Sequence, residues 1–76
     1  MSMKTRKEIL EAHHDSALAK RLEDEINLTA LKQRAKGLKP GTDYDAVQEA
    51  INAKESNLEK IDIVLKIVEE LIEKEK

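Results

Sequence analysis

The stretch Gly37-Leu38-Lys39-Pro40-Gly41-Thr42-Asp43 holds both glycines and the single proline of a 76-residue chain. Pro40 lacks a backbone donor and cannot continue a helix, and Gly37 suits the left-handed position that ends one. Just beyond, Thr42 or Asp43 can cap a new helix, and Thr42 with Asp45 resembles a weakened capping box. Residues 4–36 and 43–76, on either side, contain no Gly or Pro. As a helix, each arm is about 50 Å long at a rise of about 1.5 Å per residue. Equal arms and a short turn predict an all-α fold, an antiparallel two-helix hairpin. Its helices cover about 4–36 and 43–75, its turn 37–42, and the whole chain 1–76 is a single domain. The alternative has three helices, with the first arm broken near 25–28 and Asn27 capping a short helix over 28–36. No Gly or Pro marks that break, which favours the continuous helix.

Composition narrows what such a hairpin can do. Charged residues make up 39% of the chain, Tyr44 is the one aromatic residue, and Cys, Trp and Phe are absent. Disulfide scaffolds, thiolate metal sites and aromatic platforms for single-stranded nucleic acid are thereby excluded. Ser2, Ser16 and Ser56 lie in no nucleophile motif, no glycine-rich phosphate loop is present, and the chain is too short for a deep walled pocket. A non-catalytic protein without a cofactor is expected. Apolar runs reach only three residues, as at Ile63-Val64-Leu65, far short of the roughly 20 needed to span a bilayer. The basic start, Met1 to Lys7, lacks the apolar core of a secretion signal. These features predict a cytoplasmic protein with no membrane partner.

The net charge of −2 conceals an asymmetry, since residues 1–40 hold nine Lys/Arg against six Asp/Glu and residues 41–76 hold five against ten. Folding one arm onto the other neutralises both. In the second arm Tyr44, Val47, Ile51, Leu58, Ile61, Leu65, Val68 and Ile72 follow alternating three- and four-residue spacings, interrupted only at Lys54. From Ile61 to Ile72 the apolar arc widens to roughly 200° on a helical wheel through Ile63, Val64, Ile67 and Leu71. One antiparallel neighbour covers little more than half of it. The first arm offers two faces: Leu18, Leu22, Ile26 and Thr29 on one, and Leu10, Ala17, Leu28, Leu31 and Ala35 on another. Folding about residues 39–40 pairs positions whose numbers sum to about 79, setting Leu18 beside Ile61, Leu22 beside Leu58 and Leu31 beside Val47. Lys4, Arg6 and Lys7 then meet Glu69, Glu70, Glu73 and Glu75.

A two-helix hairpin has no interior that could bury all nineteen Ile, Leu and Val residues. Self-association is the expected remedy, with a dimer of hairpins forming a four-helix bundle as its simplest closed form. The residues expected to carry interaction are Ile61, Val64, Leu65, Val68, Leu71 and Ile72, with Leu18 and Leu22 opposite. The chain thus reads as a small interaction, regulatory or assembly protein whose partners are itself and another protein. A second reading uses the acid-free interval between Glu25 and Asp43, where Lys32, Arg34, Lys36 and Lys39 gather at the hairpin tip and could contact nucleic-acid phosphates. Against it stand the acidic chain, with a pI near 5.7, and the tendency of cations to collect at helix C-termini anyway. A weaker candidate is Glu11 with His14, a Glu-x-x-His spacing that places both side chains on one helix face, as di-iron bundles do. The second arm supplies no matching motif, and no metal is expected.

Overall fold

A computed structural model describes residues 3–75 as two helices, α1 (Arg6–Lys36) and α2 (Thr42–Lys74), joined by a short turn. Met1, Ser2 and Lys76 lie outside the described residues, among them one of the three serines and the first residues of the basic start. The helices pack against each other in an elongated body of 56 × 24 × 14 Å. α1 runs unbroken through residues 25–28, so the three-helix alternative does not form and Asn27 is an interior helical residue.

The helix ends show which local signals prevail. α1 begins two residues later than its Gly- and Pro-free stretch allows, because Thr5-Arg6-Lys7-Glu8 forms a complete capping box. The Glu8 N–H donates to Thr5 Oγ1 at 3.2 Å, and the Thr5 N–H donates to Glu8 Oε1 at 3.5 Å. Gly37 is right-handed, at φ −90° and ψ −3°, rather than left-handed as its position suggests. Its N–H donates to the Arg34 carbonyl and that of Leu38 to the Ala35 carbonyl, both at 3.1 Å, so α1 ends by tightening its last turn. The special conformation falls instead on Gly41, at φ 156° and ψ −168°. Gly41 is also the N-cap of α2, and its carbonyl accepts from the Asp45 N–H at 2.9 Å. Helix α2 therefore starts at Thr42, one residue early, and neither Thr42 nor Asp43 caps it with a side chain. Asp43 and Asp45 lie in the first turn, where negative charge complements the helix dipole.

The seam of α2 is the one its spacing predicts, with Val47, Ile51, Leu65 and Val68 buried and Tyr44, Leu58, Ile61 and Ile72 half-buried. The seam of α1 is the second of its two faces. Leu10, Ala17, Leu28, Leu31 and Ala35 are half-buried, and the places between them go to His14, Arg21 and Asp24. Leu18 and Leu22 are consequently not set against Ile61 and Leu58. They face outward, 46% and 59% exposed, because Ala17, Arg21 and Asp24 take the contact with α2. Four interhelical pairs fix the register: Arg6–Glu75, His14–Glu69, Arg21–Asp62 and Asp24–Lys54. Their numbers sum to between 78 and 83, within about one turn of the expected pairing.

The contrast between the two glycines is measurable. Gly41→Ala forces a side chain into a conformation that essentially only glycine adopts, although nothing lies within 4 Å of the added carbon. The expected loss is about 1–3 kcal/mol of unfolding free energy in a urea titration. Gly37→Ala, at an ordinary helical conformation and 3.7 Å from the Arg34 carbonyl, is expected to be neutral or to stabilise by up to about 1 kcal/mol.

Candidate interaction surfaces

Lys54, the apparent flaw in the α2 seam, faces the one buried charged residue among the described residues. Asp24 has 0% of its surface exposed, and its Oδ1 accepts from Lys54 Nζ at 3.1 Å while Lys20 Nζ stands 3.5 Å away. Asp24 Oδ2 has no hydrogen-bond partner among the described residues. Burial pushes the Asp24 carboxyl up, but the hydrogen bond from Lys54 and the charges of Lys20 and Lys54 outweigh it, and the group titrates below its ordinary value. Those charges prevail because the seam is one side chain thick: Lys20 is 56% exposed and Lys54 28% exposed, so both cations keep their hydration. Next along α1, Arg21 bridges Asp62 on α2 and Glu25 on its own helix. Hydrogen bonds to Asp62 and then to Glu25 raise its guanidinium further, against the opposing effect of burial. This polar centre aligns the helices, and beside it Lys54 lines an open hollow with Asn27, Ala30, Leu31 and Arg34.

His14 is half-buried with Nε2 3.7 Å from Glu69 Oε2, whereas Glu11 is exposed. Glu69, expected to meet the basic residues at the start of α1, meets His14 instead. Among the described residues no three His, Cys, Asp or Glu side chains converge as a metal site. At the hairpin tip Lys32, Arg34, Lys36 and Lys39 are all exposed, and none makes an ion pair among the described residues. Arg34 shares a shallow hollow with Asp43, so α2 brings an acid alongside the cluster that the sequence interval lacks.

The wide apolar arc of α2 is divided by the fold. Leu65 and Val68 are buried and Ile61 and Ile72 half-buried against α1. Leu71 is half-buried at the flank, while Ile63, Val64 and Ile67 are 61%, 50% and 50% exposed. The six α2 residues named as an interaction stripe therefore serve two purposes: four close the hairpin, and Val64 and Leu71 belong to an outer face with Ile63 and Ile67. A second apolar face lies on α1, where Leu18, Leu22 and Ile26 are 46%, 59% and 62% exposed. Leu22 and Ile26 line a shallow hollow with Glu25 and Thr29. That face escaped recognition as outward because Leu is normally read as the inward residue, while Asp24 and Arg21 took the inward places. No helix among the described residues is long and apolar enough to cross a membrane. No known protein family matches the chain, and no curated protein or solved structure is significantly similar to it.

The Asp24 cluster predicts an acid-sensitive hairpin. A carboxylate held below its ordinary value binds fewer protons when folded than when unfolded, so its contribution is complete at neutral pH. It is lost as pH falls below about 4. Asp24→Asn should reduce stability at pH 7 and shrink the difference between pH 7 and pH 3, read as urea midpoints by circular dichroism. An unchanged pH 7-to-3 difference in that variant would show that other carboxylates carry the acid response.

Proposed function

We propose that this chain is a non-catalytic assembly module that associates with itself and engages another protein through the helical surface left outside the hairpin seam. The observation that carries the reading is the outward apolar set on both helices. Ile63, Val64 and Ile67 on α2, and Leu18, Leu22 and Ile26 on α1, keep between 46% and 62% of their surface in water. Single exposed apolar residues are ordinary, but rows of them on successive turns mark protein-binding faces. Helices with such faces dock in grooves or in bundles.

Light scattering behind size exclusion, over a hundredfold range of concentration, is the direct test. The expected result is a dimer or larger species, reduced to a monomer with unchanged helical content by Val64→Glu together with Ile67→Glu. Leu65→Glu serves as the contrast. Leu65 is 7% exposed within the hairpin, so that change is expected to unfold the chain rather than to separate intact copies. A wild-type protein monomeric throughout the range would overturn the self-association reading.

A second reading is an anion-binding tip. Lys32, Arg34, Lys36 and Lys39 are exposed and without ion-pair partners among the described residues, which leaves four cations available to phosphates. Contacts of that kind release counterions and weaken steeply with salt. The expected outcome is a mobility shift of duplex DNA or RNA at low ionic strength that disappears when the four residues are changed to Glu. No shift of wild-type protein at low salt ends this reading.

A further inference from the structure

Shifted back by one residue from the α2 seam, the same three-and-four spacing marks a second row: Asp43, Ala46, Ala50, Ala53, Asn57, Lys60, Val64, Ile67, Leu71 and Lys74. A one-residue shift turns a helical row by about 100°, so this row borders the seam on one edge of the hairpin. Its two halves differ in kind. Before Asn57 the side chains are small, and at Ala46 and Ala50 the surface sinks into the hollow shared with Leu31 and Val47, and edged by Arg34 and Asp43. After Asn57 they are large, with Val64 and Ile67 each 50% exposed.

We infer that this edge pairs with a second copy of the chain, α2 against α2 and antiparallel, about a twofold axis at Asn57. The inference rests on the self-association reading and gives it a geometry. Reversing the row about Asn57 sets Val64 on Ala50 of the other copy and Ile67 beside Ala46, twice over by symmetry. Knobs of one copy fill hollows of the other, and small residues opposite large ones let the helices approach closely. The same reversal sets Leu71 opposite Asp43, with Lys74 three residues further along and its opposite charge within a turn of that carboxylate.

Surface area leaves room for such an occupant. The hairpin exposes 6072 Å², whereas a compact monomer of 8.6 kDa exposes about 4,700 Å². The excess, about 1,400 Å², is more than the roughly 800 Å² that each partner contributes to a standard stable interface. The outer face of α1 does not offer the same fit. Leu18, Leu22 and Ile26 are all large, and the exposed small residues beside them, Ala12, Ser16, Ala19 and Ala30, are interrupted by Glu23.

The absence of cysteine makes the geometry testable with single thiols. Asn57→Cys lies on the inferred axis, so mild oxidation or a short bis-maleimide should link two copies efficiently, whereas Leu22→Cys and Ile26→Cys should remain largely unlinked. Ala50→Leu should weaken dimerisation about tenfold or more by overfilling the hollow. The exchange Ala50→Val with Val64→Ala restores the large-on-small pairing and should recover most of the association. Helical content by circular dichroism confirms that each variant folds, and the Asn57→Cys result stands even where the Ala50 variants do not. A dimer that links through Leu22→Cys or Ile26→Cys and not through Asn57→Cys overturns this geometry and leaves self-association intact. A wild-type monomer at every concentration overturns both.

Discussion

Two helices share one line of contact, and most features of this molecule follow from that limit. A residue in a larger bundle can be covered from several sides, but here each helix has a single neighbour. Burial is confined to a stripe, and among the described apolar residues only Val47, Ile51, Leu65 and Val68 are buried. Everything beyond the stripe stays in water whatever its chemistry, including the Val64 and Leu22 faces. The apolar surplus follows directly from the topology of the hairpin.

The same thinness explains how the seam accommodates a charge. Burying a carboxylate in a thick core is costly and usually drives it toward the neutral form. Asp24 is covered, yet its two cations reach solvent on either side, so it remains ionised without the whole cluster losing hydration. Together with Arg21 between Asp62 and Glu25, it places a polar segment in the middle of an otherwise apolar contact. A seam made only of aliphatic residues can slide by a heptad at little cost, whereas sliding this one strands Asp24 and Lys54 away from each other. Polar groups inside helical seams are a known way of specifying register at some expense of stability.

Local readings succeeded where local forces decide. Pro40 and the glycines placed the turn, the three-and-four spacing of α2 found its seam, and the absence of breakers in α1 kept it continuous. They went astray at Gly37, Thr42 and the start of α1. There several short hydrogen-bonding solutions compete, and the choice depends on a residue or two of register. The capping box at Thr5-Arg6-Lys7-Glu8 is a standard pattern in the sequence, embedded in a basic run that gives no sign of a helix start. The face of α1 was the larger difficulty, since three of its inward places are taken by His14, Arg21 and Asp24 and its best aliphatic row points out.

By itself, then, the sequence determined two long helices, the site of their turn, the inward stripe of α2 and an apolar surplus too large for one neighbour. Those are properties of backbone stereochemistry and of periodicity along one segment, and they need no knowledge of the opposite arm. Tertiary structure alone decided that Lys54 belongs in the seam, that Asp24 is its partner, and that Leu18, Leu22 and Ile26 face away. It also divided the α2 arc into a closing half and an outer half. A charged side chain is tolerable inside a contact only when its counter-charge arrives from the other helix. That meeting of residues 24 and 54 exists only once the chain has folded back on itself.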